Sequence, residues 1–319
     1  MTTRFEILGR VAARQDARAA DLAPQQQCLL AVLVMAGGTV VGRRRLQEAL
    51  WGFKEPYPEH GVKGIAAELR RELRRVSPDD DPVPACGGGY RLLVTQEQAD
   101  VLRFRSKIST AECASGPARL EHLREALREW GPGAGLRGGE PLLNLEGQWA
   151  DNTRHRLRTD YREAVLYCLT QGISLRDYDF VLRQCEQIDS DDIKALLDEK
   201  FVTLWMTAAC GAGNPATARE FYQRAMEATS RAGVPPAPSL HSLDAQLRAN
   251  GPRPERSPVP EPPETGPAPA DTRTMNVTAY YGNAFGAIGD IHYHETDGKR
   301  LPDPHVVHDN SDNDTSDAQ

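Results

Sequence analysis

Apolar residues change their period several times along the chain, and each change marks a predicted element. Residues 4–12, Arg-Phe-Glu-Ile-Leu-Gly-Arg-Val-Ala, alternate well enough for a pair of strands. A nearly unbroken apolar run lies between Pro24 and Gly37-Gly38, which predicts a helix over 24–36 with proline in its first turn and glycine at its end. Thr39-Val40-Val41 reads as a short strand, and residues 43–51 read as a second helix stopped by Gly52 and the Pro56/Pro58 pair. Then Val62, Ile65, Leu69, Leu73 and Val76 recur at spacings of three and four, one face of a third helix. Lys63, Arg70, Arg71, Arg74 and Arg75 fall off that stripe, so the helix is apolar on one side and mostly basic elsewhere. The apolar stretch 83–94 is broken by Gly87-Gly88-Gly89, the mark of a tight β-hairpin. Short strands, three helices and a hairpin, in that order, predict a winged helix-turn-helix. The plainer alternative is a surface helix whose arginines are solvated and paired with Glu68 and Glu72.

From residue 99 the period stays helical to about residue 250. Amphipathic segments are read at 119–130, 149–170, 175–188, 193–210, 216–230 and 239–247, joined by short connections rich in Gly, Pro, Asp or Asn. Helix pairs of this length suggest a tetratricopeptide-like stack, although no clean internal repeat is visible. Residues 251–274 contain eight prolines and no periodicity, which predicts an extended, disordered linker. In the following island Met275, Val277, Ala279, Tyr281, Phe285, Ala287, Ile291 and Tyr293 share one parity, as in a strand or strand pair. Such a motif could dock on a partner's sheet edge or stack on itself, or be a sticky piece of disordered tail. The expected organisation is therefore a winged helix over 1–98, a helical domain over 99–250, a Pro-rich linker over 251–274, a β-prone motif over 275–295 and a disordered acidic tail over 296–319. The fold class is mainly α with a small β component.

Charge changes the picture by its distribution. The net charge of −7 argues at first against a nucleic-acid partner. From Gly251 onward, however, there are 5 Lys+Arg against 12 Asp+Glu, so the tail carries the whole imbalance. Residues 40–76 hold 9 basic and 5 acidic groups, a local excess of the kind a phosphate-binding face needs. No apolar run approaches the roughly 20 residues of a membrane span, and the N-terminus lacks a secretory pattern. Six singly scattered cysteines show no zinc or redox spacing, which points to reduced thiols and a cytoplasmic location.

The order and spacing of four segments carry a family resemblance. They are 25–41 (Gln-Gln-Gln-Cys-Leu-Leu-Ala-Val-Leu-Val-Met-Ala-Gly-Gly-Thr-Val-Val), 46–52 (Leu-Gln-Glu-Ala-Leu-Trp-Gly), 68–73 (Glu-Leu-Arg-Arg-Glu-Leu) and 88–92 (Gly-Gly-Tyr-Arg-Leu). Together they resemble the OmpR-type winged helix of the Streptomyces antibiotic regulatory proteins. Residues 204–222 and 233–243 are similar to the end of the bacterial transcriptional activator domain that follows the winged helix in that family. The two resemblances span roughly residues 4–248. They imply a transcriptional activator that binds double-stranded promoter repeats, as a dimer or as side-by-side protomers, and recruits RNA polymerase with its sigma factor.

By position in the family, His60, Lys63, Gly64, Ala67, Arg70, Arg71 and Arg74 on the third helix would face DNA, Arg43, Arg44 and Arg45 would sit near phosphates, and Arg91 would belong to the wing. Two departures stand out. Gly64 and Ala67 offer no hydrogen bond to a base, and Cys86 occupies a place before the wing glycines that is commonly basic. The rival function is a non-DNA-binding scaffold built on a degenerate winged helix. No phosphate-loop, nucleophile-elbow or zinc-protease motif is present, so no enzyme and no cofactor are expected. Residues 189–192 read as a helix cap, and His292, His294, His305 and His308 lack a rigid frame, so no metal site is expected.

Overall fold

Strands β1 (Arg4–Glu6), β2 (Ala12–Gln15) and β3 (Arg18–Ala19) form an antiparallel sheet in that order, with Phe5 opposite Ala13. The computed structural model describes residues 2–53, 56–58, 61–77, 82–131, 139–186 and 193–250. His60, residues 189–192 and everything from 251 on, including the linker, the alternating motif, the tail and its histidines, lie outside the described residues. Phe5 and Ala13 are buried, as the alternation predicts. Strand β3 is an addition to the sequence reading: its two residues are both exposed, so no alternation betrays it. Asp16 makes the turn into it at φ 53°, a conformation Asp tolerates better than most side chains.

Helix α1 (Pro24–Met35) is the centre of this half. Leu29, Leu30, Leu33 and Val34 are fully buried, on more than one face of the helix. Around it pack α2 (Arg43–Trp51) and α3 (Gly61–Val76). The expected stripe of α3 is buried as read, joined by Ala66 and, less predictably, by Glu72. The short strands β4 (Val41–Gly42), β5 (Ala85–Cys86) and β6 (Gly89–Tyr90) form a second antiparallel sheet in the order β4-β6-β5.

Among the described residues, eight α-helices follow: α4 (Asp100–Cys113), α5 (Gly116–Arg128), α6 (Gln148–Ser174), α7 (Tyr178–Glu186), α8 (Ile193–Leu196), α9 (Glu199–Gly211), α10 (Pro215–Ala232) and α11 (Pro238–Asn250). Neighbours in sequence pack on one another, α4 on α5, α5 on α6, α9 on α10, with α9 also against α6 and α7. This is a tetratricopeptide-like array in a mainly helical chain. Several helix bounds differ from the sequence reading by up to four residues, and two of the differences have clear local causes. The helix expected at 175 begins at Tyr178, because Arg176 takes φ 58° and Asp177 accepts the Phe180 N–H at 3.2 Å. The helix expected over 193–210 is interrupted at Asp198, whose carboxylate caps α9 by accepting the Lys200 N–H at 3.1 Å.

One continuous core runs from Phe5 through α1 and α3 into the helical array as far as Trp205. Phe104, Trp130 and Tyr161 stack within it, with centroids 5.7 and 4.5 Å apart. Polar clamps reinforce the join between the two halves. The Asp100 carboxylate, at the start of α4, accepts the backbone N–H groups of Ile7 (2.8 Å), Leu8 (2.9 Å) and Val101 (2.7 Å). Burial pushes its pKa up to about 6, although the three N–H donors and Arg103 pull the other way. The segment before α6 adds more. Leu142 N–H donates to the Ile7 carbonyl and Leu143 N–H to the Gly9 carbonyl, at 3.0 and 3.1 Å. Asn144 accepts the Val11 N–H at 2.8 Å and donates to Gln27 of α1 at 2.5 Å. Arg154 of α6 holds this segment in place through the carbonyls of Pro141, Leu142 and Leu145, at 2.8 to 3.1 Å.

Five described cysteines are free, and Cys28 and Cys168 are buried with thiols pushed up to about 12 by desolvation, which leaves them unreactive packing groups. Among the described residues no cluster of His, Cys, Asp and Glu could hold a metal ion. Likewise, no described helix is long and apolar enough to cross a membrane.

Candidate nucleic-acid interface

The hairpin between β5 and β6 turns through Gly87 at φ 49° and Gly88 at φ 86°. Two consecutive positive φ values are what a tight two-residue hairpin of the primed type needs, and glycine supplies them at no steric cost. Gly89 serves a different end. A Cβ there would lie 2.1 Å from the Val41 carbonyl oxygen, so β6 approaches β4 more closely than any side chain permits. The pairing sets Val41 opposite Tyr90 and Gly42 opposite Gly89, and the Arg43 N–H donates to the Gly88 carbonyl at 3.2 Å. The first residue of α2 is thereby tied to the tip of the hairpin. Arg91, just past β6, is exposed.

Arg43 and Arg45 sit in the exposed first turn of α2 and make no ion pair among the described residues. Arg44 between them is 81% exposed but pairs with Glu48 at 3.2 Å, one helical turn on. On α3 the exposed residues are Lys63, Gly64, Ala67, Glu68, Arg71, Arg74 and Arg75, all on the half opposite the buried stripe. Lys63 has no ion pair among the described residues. Arg71 and Arg75 reach Glu72, at 3.3 and 2.7 Å, and Glu68 accepts from Gln26 of α1 at 3.1 Å. Glu72 is only 8% exposed at its side chain, so its two arginines partly offset a carboxylate carried on the inner side of the helix. Arg75, which the sequence reading left out of its DNA-facing set, shares the exposed half of α3 with Arg71 and Arg74. The helical stripe alone could have placed it there.

Arg70 takes another direction. It is half-buried, donates from Nε to the Val83 carbonyl at 2.6 Å, and lies with its guanidinium 5.5 Å from the centre of the Tyr90 ring. It joins α3 to the segment leading into β5 and to Tyr90 of β6. Arg70→Ala is expected to lower folding stability by about 1.5–3 kcal/mol, the usual worth of a hydrogen bond from a charged group to a buried acceptor. Arg70→Lys should restore little of it, because an ammonium cannot both reach the carbonyl and stack on the ring. Urea unfolding of the two variants checks this; a wild-type midpoint for Arg70→Ala would contradict it.

These elements place Arg43, Arg44, Arg45, Lys63, Ala67, Arg71, Arg74 and Arg91 on exposed surface of the winged-helix half, and turn Arg70 inward. Residues 99–248 match the bacterial transcriptional activator domain. The chain is 30% identical over 253 residues to "Regulatory protein AfsR" of Streptomyces coelicolor, covering 76% of this chain and 24% of that protein. The chain is thus similar to the Streptomyces antibiotic regulatory proteins. A second AfsR, from Streptomyces griseus, is 30% identical over 155 residues, 48% of this chain and 15% of its own length. The chain thus spans a quarter or less of the length of those relatives. Its fold is similar to that of Mycobacterium tuberculosis EmbR, a structure solved with a low-affinity phosphopeptide, at a TM-score of 0.64 and 23% identity over 79% of this chain and 66% of the other. The chain therefore has a winged-helix half followed by a match to the bacterial transcriptional activator domain.

Proposed function

We propose that this regulator binds double-stranded promoter DNA with α3 in the major groove and the β5–β6 hairpin at the adjacent minor groove, and that the helical domain holds RNA polymerase, including its sigma factor, at the promoter. In this reading residues 1–98 are the DNA-binding unit and residues 99–250 the activating one. Protomers sit on tandem repeats as a dimer or side by side. One observation carries the reading. In a chain of net charge −7, one half of α3 and the first turn of α2 expose Lys63, Arg43 and Arg45 without ion pairs among the described residues, beside Arg71, Arg74, Arg75 and Arg91. Unpaired basic groups on a helix that can enter a groove are suited to neutralise phosphates and release counterions.

The experiment is a titration of the full chain against a duplex from its own upstream region at several salt concentrations. Affinity should fall with salt on a log–log slope of several units, because each neutralised phosphate contributes about 0.9. No binding at roughly 50 mM salt, where phosphate contacts are strongest, would instead support a scaffold that keeps the fold without the DNA.

A further inference from the structure

The exposed half of α3 is unusual in what it lacks. Over residues 61–67, where a recognition helix reaches base edges, the outward positions are Lys63, Gly64 and Ala67. A Cβ on Gly64 would meet nothing within 4 Å among the described residues beyond its two chain neighbours, so none of those side chains packs over it. Ala67 presents a bare methyl group one helical turn from Lys63 and one from Arg71. Neither residue can donate to or accept from a base. A surface this shallow lets the helix backbone approach the groove floor, while the exposed Arg43, Arg45 and Arg91 are suited to hold phosphates. Only one group on the major-groove floor is apolar, the 5-methyl of thymine, and alanine is among the side chains that meet it by plain contact.

We propose that Ala67 reads a thymine through its 5-methyl group, and that this contact carries the main base discrimination by the first two turns of α3. The inference rests on the DNA-binding reading above and makes it more specific. It assigns Ala67, which looks like a missing reader, as the reader.

The test removes one methyl at a time. A bound duplex is found by selection with the full chain, and each thymine of the protected sequence is replaced by deoxyuridine, which keeps every hydrogen-bonding group. Substitution at one position, or at two adjacent ones, should weaken binding about three- to tenfold, the scale of one buried methyl group. Ala67→Gly should weaken binding to the thymine duplex by a similar factor and abolish the difference between thymine and deoxyuridine. Ala67→Ser, which holds the helix better than glycine, guards against misreading a folding defect, and should also lose most of that difference. Full binding to duplexes with deoxyuridine at every position in turn overturns this inference while leaving DNA binding intact. So does a deoxyuridine penalty that persists undiminished in Ala67→Gly. Absence of salt-sensitive binding to any duplex overturns both readings at once.

Discussion

Asp100→Ala is expected to cost about 3–5 kcal/mol of folding stability. The substitution leaves the N–H groups of Ile7, Leu8 and Val101 without their acceptor in a buried place. Each orphaned donor costs about 1–3 kcal/mol, and part of the sum is offset because the variant no longer buries a carboxylate. For a folded part of this size the melting temperature should drop by roughly 6–20 °C. The native residue also predicts a pH dependence. Its carboxyl is raised to about 6 by burial, above the usual value of an unfolded chain, so the folded state holds the proton more tightly. Stability from this group is therefore greatest below about pH 4 and is lost as pH rises towards 6 and beyond. Asp100→Asn, which cannot titrate, should flatten that part of the stability profile. Chemical denaturation between pH 4 and 7 decides the matter: equal slopes in the two proteins would mean that Asp100 does not titrate in this window.

The second large effect concerns charge. The triple variant Arg43→Glu, Arg45→Glu and Lys63→Glu should lose about a thousandfold in DNA affinity near 0.1 M salt, with the salt slope reduced by about three units. Its melting temperature should stay close to wild type, since all three side chains are exposed and none is in an ion pair among the described residues. Arg44→Glu is a useful contrast, because Arg44 already pairs with Glu48. It should cost less affinity than Arg43→Glu. Anisotropy titrations with parallel melts separate the two quantities. Retained affinity in a folded triple variant would remove this face from the DNA interface.

How far these features could be read in advance depended on their range. Helices α1, α2 and α3 follow from apolar spacing and from proline and glycine at their ends, all of which act within a few residues. The hairpin follows from three glycines, although the reason for the third, the approach of Val41, depends on a strand nearly fifty residues earlier. Glu72 does pair with arginines, as the plainer alternative has it, but from within the buried stripe, where a carboxylate is not expected. Strand β3 has no pattern to read, and the cap at Asp198 is hidden inside an apolar run that continues across it. Arg70 sits beside the outward arginines in sequence, and only the Val83 carbonyl and the Tyr90 ring, thirteen and twenty residues on, draw it inward. The clamp at Asp100 joins residues more than ninety positions apart, and nothing local distinguishes that aspartate from an ordinary helix-start acid.

That clamp has a consequence for geometry on DNA. The winged helix is not hung from the helical domain by a free hinge: Ile7, Leu8, Gly9, Val11 and Gln27 are all bonded to Asp100 or to the Leu142–Asn144 segment. In the proposed DNA complex, therefore, the azimuth of the helical domain would be dictated by the base pair on which α3 sits. Moving a repeat by one base pair turns the whole body by roughly 35° about the duplex axis, and five base pairs carry it to the far side. In the proposed function, a protein built this way would convert the spacing of its sites into the compass bearing from which a neighbouring molecule must approach.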